Sequence, residues 1–155
     1  MARLEDLQEA YQNLDWKLPM RGLEALASEA LLAFDYEYPD HPQEIKVDTD
    51  EFTAVCPWTG LPDQGTLTIT YVPSDRCVEL KSLKFYLLSF RDVGIVQEHA
   101  VARVLNDLVG LLAPKRLHIN LDYNVRGGLH TVIDLSHPTP DDGIRGNGVT
   151  TSPVG

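Results

Sequence analysis

In the segment TAVCPWTGLPD (residues 53–63) a cysteine stands directly before a proline, and an aspartate follows seven residues later. A thiol can pack as a small hydrophobe, pair in a disulfide, ligate a metal or act as a nucleophile. Pro57 ends the preceding strand just after Cys56, and TGLPD is turn chemistry, so the thiol falls at the mouth of a strand. There a nucleophilic reading needs exposure, a lowered pKa and a proton-handling neighbour, and Asp63 across the turn is placed to be that neighbour. The packing reading stands beside it: a free cysteine at a strand end is commonly core, and Asp63 serves equally as a turn residue opening the next strand. Cys77 is the control. It follows PSDR at an expected helix start, without an acid at similar spacing, and reads as structural.

Two further groups have residue types suited to binding. In ELKSLKFYLLSFR (residues 79–91) Lys81 and Lys84 are three apart and share a helix face opposite the leucines. They form either a solvated face or a grip on phosphate, with Arg126 in VRGG adding a guanidinium from a loop. In VQEHAVARVLNDL, Glu98 falls in a first helical turn, where exposed amides favour a carboxylate. The same carboxylate can accept two N–H donors from the edge of a guanine-type base. His99, His118 and His130 are scattered, and no C-x-x-C or H-x-x-x-H spacing completes a zinc site, so no metal is assigned.

The elements that must position these residues follow from periodicity. EIKVDTDEFTAV alternates in part, with Ile45 and Val47 on one face. GTLTITYVP alternates cleanly, with Leu67, Ile69 and Tyr71 opposite threonines. Two helical stretches follow, one with Leu80, Leu83, Leu87 and Phe90 on a face, the other with Ile95, Val101, Leu105, Leu108 and Leu112. RLHINLDYNV and GLHTVIDLS alternate again around the glycines of VRGG. The order strand, strand, helix, helix, strand, strand predicts an α+β fold, a four-stranded antiparallel sheet with two helices on one face. Before it, residues 1–33 hold two amphipathic helical patches, Leu4–Leu7–Tyr11–Leu14 and LEALASEALLAF; after it, residues 137–155 read as a polar tail. The 155 residues, 43% hydrophobic, suffice for one core. A net charge of −10 disfavours a nucleic-acid partner, no apolar run spans a membrane, and no secretory signal is visible. The expected compartment is the cytoplasm, with both thiols reduced.

Taken together, FTAVCPWTGLPD, ELKSLKFYLLSFR, the Glu98 helix start and VRGG resemble the NADPH-dependent 7-cyano-7-deazaguanine reductases of queuosine biosynthesis, short nitrile reductases of the tunnelling-fold superfamily. The resemblance covers roughly residues 34–136, the expected reductase domain. It implies that Cys56 attacks the nitrile carbon to form a thioimide and that Asp63 moves protons. It implies too that Val78, Glu79, Leu80, Gln97 and Glu98 hold the deazaguanine, Glu98 reading the base edge, and that Lys81, Lys84 and Arg126 grip NADPH. It implies a homo-oligomer of edge-joined sheets in stacked rings, a decamer, with sites between subunits. One departure stands out: many members have histidine before this glutamate, whereas here Gln97 precedes and His99 follows. Two other readings share part of these motifs: an amidine-forming relative acting on the same nitrile, which would lack the nicotinamide grip and against which ELKSLK argues, and a non-catalytic purine- or pterin-binding module needing Glu98 and the scaffold but not Cys56.

Overall fold

The alternation of GTLTITYVP is realised in the strand at the centre of the sheet. The structure, a computed structural model, describes residues 3–5, 7, 8 and 19–140. In chain order its elements are β1 (Ala33–Asp35), β2 (Ile45–Val55), β3 (Pro62–Val72), β4 (Arg76–Val78), α1 (Leu80–Leu88), α2 (Gln97–Leu112), β5 (Arg116–Tyr123) and β6 (Val132–His137). β2, β3, β5 and β6 form one sheet in that order, every neighbour antiparallel, while β1 and β4 pair as a separate ribbon. The four-stranded antiparallel sheet with two helices is therefore as the sequence predicted, and the ribbon is an addition.

Odd-numbered residues of β3 and β5 face the helices. Leu67, Ile69 and Tyr71 lie in register with Leu121, Ile119 and Leu117, all buried. They share one core with Leu83, Tyr86 and Phe90 from the α1 side and with Val101, Val104, Leu108 and Leu112 of α2. Each such side chain contributes roughly 1.5–3 kcal/mol by leaving water. Val104 rather than Leu105 takes the inner position on α2, and Leu80 at the start of α1 is exposed.

β2 explains its own partial alternation. Thr49 pairs with Leu67 but Phe52 pairs with Gly65, so one extra residue is bulged out of β2. A one-residue bulge swaps the faces of everything beyond it. Ile45, Val47 and Thr49 face inward before it, and Phe52 and Ala54 do so after it. The bulge thus carries Phe52 against Phe90, with ring centroids 5.4 Å apart, and sends the chain on toward Cys56.

The stretch LEALASEALLAF is not the helix its spacing predicts. It forms two 3-10 turns, Leu23–Ala25 and Ser28–Ala30, and then β1. Tertiary bonds replace the helical ones: the amides of Ala27 and Leu32 donate to Ser89 Oγ and Ser82 Oγ, each at 3.0 Å, and Glu79 N–H donates to the Leu32 carbonyl. Local propensity yields to such partners. Asp107 of α2 fastens the same segment, its Oδ2 accepting from Ser28 Oγ, Tyr86 OH and Arg103 Nε. In the first patch Leu4 and Leu7 are exposed, while Tyr11 and Leu14 fall outside the described residues. Of the expected tail, His137 closes β6 opposite Leu117, and residues 141–155 are outside the description. Cys77 lies in β4 opposite Phe34 rather than at a helix start; it is buried and unbridged.

Candidate functional site

The two ends of β3 organise the predicted residues into two groups. At the first end, β2 leaves the sheet at Val55 and a tight loop returns the chain to β3. Cys56 N–H donates to the Leu61 carbonyl at 2.9 Å, and the Cys56 carbonyl accepts from Gly60 N–H at 2.8 Å. Gly60 has φ 68°, a conformation that glycine adopts without strain. The loop turns the Thr59 hydroxyl and the amides of Thr59 and Trp58 onto the Cys56 thiol, with Arg126 also hydrogen-bonding it. Burial pushes the thiol up, but these donors outweigh it, and the net effect is a thiol held below its ordinary value.

Asp63 is the second residue of β3 and has the inward parity of Leu67, Ile69 and Tyr71, so strand geometry drives its carboxylate toward the core. It is 4% exposed. Burial raises its pKa; the charge and hydrogen bond of Arg126 and a hydrogen bond from Gln97 pull it down; Glu98 pushes it up again, and the net shift is upward. The thiol is thus easier to ionise and the carboxyl easier to protonate than in free solution, which is what a nucleophile and its proton carrier require.

Arg126 reaches this pair from the β5–β6 turn. Arg126 and Leu129 exchange backbone bonds of 2.9 and 3.0 Å, and Gly127 and Gly128 both have positive φ, 57° and 79°. That is type I′ turn geometry, which the two glycines permit. The hairpin is fixed to β3 by Asn124 N–H on the Gln64 carbonyl at 2.8 Å. Beside it, Gly65 opposes Tyr123, and a Cβ there would lie 2.5 Å from the Asp122 carbonyl oxygen. From this base Arg126 Nη1 donates to Asp63 Oδ1.

Gln97 and Glu98 arrive by a different route. Residues 93–95 run parallel to β2, with Val55 N–H on the Val93 carbonyl and Ile95 N–H on the Val55 carbonyl, both at 3.0 Å. On the other side Arg21 bonds to Asp92 and Gly94, so the N-terminal segment braces this connection. α2 therefore starts beside Asp63, and Tyr123 OH donates to the Gln97 carbonyl at 3.3 Å. His99 is exposed in that first turn, and Gln97 rather than His99 bonds Asp63. His118 of β5 and His130, just before β6, have the outward parity of the sheet and pair with Asp134 and Asp122.

The second group lies at the other end. Val78 N–H donates to Tyr71 OH at 3.2 Å, and Tyr71 is eight residues along β3 from Asp63, roughly 26 Å at strand rise. Glu79 caps α1: its carboxylate accepts from Lys81 N–H at 2.9 Å and Ser82 N–H at 2.7 Å, and these two amides lower its pKa. Lys81 and Lys84 are exposed, and neither forms a salt bridge with the described residues. Lys84 overlooks a groove of ≈ 230 Å³ between α1 and edge strand β2, lined by Leu80, Leu83, Val47 and Phe52 among others.

One chain therefore brings together Cys56, Asp63, Gln97, Glu98 and Arg126, and holds Val78, Glu79, Leu80 and Lys81 apart from them. Thr59 and Tyr123 are neighbours that sequence reasoning missed. Thr59 stood inside the quoted cysteine motif, and Tyr123 has the inward parity of β5 and sits opposite Gly65.

Fold and site define the class: a tunnelling-type α+β unit with a thiol and a carboxyl at one end of its sheet. The model of the family described as QueF-like protein matches residues 62–142. The NADPH-dependent 7-cyano-7-deazaguanine reductase of Caldicellulosiruptor bescii is 52% identical over 112 residues, 72% of this chain and 86% of that protein. The protein of the same name from Anaeromyxobacter dehalogenans is 47% identical over 117 residues, 76% of this chain and 96% of that one. The crystal structure of the archaeosine synthase QueF-Like in the apo form superposes with TM-score 0.58 at 17% identity, covering 62% of this chain and 94% of that one, a likeness of fold. The chain belongs to the QueF-like family.

Proposed function

We propose that this chain reduces the nitrile of 7-cyano-7-deazaguanine to the primary amine with NADPH, in the cytoplasm, as a step of queuosine biosynthesis. The observation that carries the reading is a thiol held below its ordinary value beside a buried carboxyl held above its own, with one arginine between them. Relatives about half identical over most of their length are named for this reaction.

A nitrile is a poor hydride acceptor, and addition of a thiol makes the carbon more electrophilic. Cys56 adds to that carbon: a C–S bond forms, one C–N π bond breaks, and the thiol proton passes by way of Asp63 to nitrogen. The result is a thioimide. NADPH, when bound, supplies one hydride to the thioimide carbon and, from a second molecule, another to the imine carbon left after Cys56 departs. Asp63 gives nitrogen one proton in each reduction and is reprotonated from solvent; the proton that the thiol gave up returns from nitrogen to sulfur as Cys56 departs, so two hydrides and two protons from outside turn nitrile into amine. Gln97 orients the carboxyl through its hydrogen bond, and Glu98 offers the paired acceptors that suit a guanine-type edge.

Lys81, Lys84 and Arg126 fit a dinucleotide phosphate chemically: two ammonium groups that form no salt bridge with the described residues and a half-exposed guanidinium. Because Lys81 and Arg126 stand at opposite ends of one sheet, the complete site needs a second copy, whose Val78–Lys81 end meets the Cys56 end of the first. Strands β2 and β6 are the sheet's open edges, and joining them closes a ring and removes the edges. The assembly proposed is stacked rings, a decamer, in which residues 34–136 form the reductase unit and residues 19–33 brace it.

Loss of NADPH absorbance with 7-cyano-7-deazaguanine, with product identified by mass, tests the reading. The expected result is two NADPH consumed per amine formed. Amidine formation from ammonia without NADPH consumption would assign the amidine-forming reaction instead, and a purine-binding role untouched by Cys56→Ala would assign a binding module.

A further inference from the structure

Arg126 has two claims on it. Its Nη1 donates to Asp63 Oδ1, yet the arginine side chain is 43% exposed while the carboxylate is 3% exposed. The turn that carries it is unpacked: a Cβ built on Gly127 or Gly128 meets nothing within 4 Å. The arginine is thus a half-exposed side chain on a hairpin that is anchored at Asn124 but has open space around its two glycines. Asp63 is faced by Arg126 from the turn, Gln97 and Glu98 from α2 and Tyr123 from β5; Arg126 is the cation in that set. Remove it, and the remaining neighbours are neutral or negative, so the carboxylate gains affinity for a proton. Cys56 is faced by Arg126 and by the neutral donors of Thr59 and Trp58.

We propose that Arg126 is exchanged between Asp63 and the phosphate of the dinucleotide: its bond to Asp63 favours the carboxylate form beside the thiol while Cys56 adds to the nitrile, and it turns to the cofactor when that binds. Asp63, left without its cation, then takes a proton from solvent, ready for the nitrogen that needs one as hydride reaches carbon. Cofactor arrival and acid formation become one event. Naming the second partner as a dinucleotide phosphate rests on the reductase reading; the bond to Asp63 does not.

The test reads the free thiol. Alkylation of Cys56 by iodoacetamide is followed against pH by peptide mass, in wild type, Arg126→Gln and Arg126→Lys, each with and without NADP⁺ at saturation judged by calorimetry. In wild type without cofactor the inflection lies below that of an ordinary thiol. In Arg126→Gln it moves to higher pH and alkylation at neutral pH slows severalfold, while Arg126→Lys, which keeps charge without the planar fork, recovers part of the shift. NADP⁺ moves the wild-type inflection toward that of Arg126→Gln and leaves Arg126→Gln where it was. Using the inflection rather than the rate separates this effect from shielding of the thiol by the bound cofactor. Equal inflections in wild type and Arg126→Gln, or a wild-type inflection unmoved with NADP⁺ bound, overturn the exchange. If NADP⁺ fails to bind, both the exchange and the reductase reading fall. If the exchange holds but the nitrile leaves no adduct on Cys56, the reductase reading falls by itself.

Discussion

At the Cys56 end of β3 a buried carboxyl and a half-exposed arginine answer one another, whereas at the Val78 end the charged side chains answer the backbone or solvent. Asp63 is pushed up by burial and steadied by Arg126 and Gln97. Glu79, half-buried, is pulled down by two amides of its own helix. The same functional group is a buried carboxyl beside a thiol in one place and a helix cap in the other. Desolvation makes the difference, because it raises the stakes of every neighbouring charge. The first end is suited to chemistry and the second to holding charged groups as mobile points.

The sharpest way to break this comparison is to divide it between two proteins. Cys56→Ala should abolish turnover while keeping affinity for the nitrile by calorimetry. A Lys81→Ala, Lys84→Ala double variant should turn over poorly at ordinary NADPH levels. If each site draws its two ends from different copies, dissociating and reassembling a mixture should restore part of the activity, because some sites receive an intact Cys56 end and an intact lysine end. Activity no better than the average of the two preparations would show that each chain closes its own site.

Asp63→Asn comes next in size. Loss of a positioned acid and base costs about 10²–10⁴-fold in kcat, with the thioimide still detectable by mass; near-normal turnover would remove the proton role. Its stability effect has the opposite sign. A carboxyl whose folded pKa is raised above its unfolded value near 3.8 contributes stability that is complete below that value and lost as pH rises through the folded one. At neutral pH the ionised group is therefore a burden, and Asp63→Asn should melt no lower than wild type. A lower Tm would mean that the Arg126 bond outweighs burial.

The lysines should act smaller and through binding. Lys81→Ala and Lys84→Ala should each raise the KM for NADPH with little change in kcat, more so at low salt, where surface charges are less screened. An unchanged KM returns them to a solvated face. Gly65→Ala should act on the scaffold: with the Asp122 carbonyl 2.5 Å from the new Cβ, β5 must shift, at a cost of about 1–3 kcal/mol read by denaturant melts.

Much of the Cys56 end was legible in the sequence because strand parity is a local property. Once β3 is read from Leu67, Ile69 and Tyr71, Asp63 falls on the same face by counting. The α1 and α2 periodicities were legible for the same reason. The bulge in β2, the β1–β4 ribbon and the bracing of residues 93–95 by Arg21 were not, since each depends on partners distant in the chain. Nor could spacing tell that Val78 and Gln97, both read as substrate residues, lie at opposite ends of the sheet. Between them the chain traverses α1, and helix direction decides which end each reaches. Arg126 was found as a cation on a turn; that its tip meets Asp63 needed the hairpin's register against Gln64.

The central claim is that Cys56 is the nucleophile, and intact-mass measurement tests it most directly. Incubation with 7-cyano-7-deazaguanine in the absence of NADPH should add the mass of one nitrile per chain, forming faster as pH rises and levelling off below the ordinary thiol range of about 8.5. Cys56→Ala should show no addition, and NADPH should discharge the wild-type adduct as amine. An adduct that persists in Cys56→Ala, or wild-type turnover with no adduct at any pH, would contradict the account.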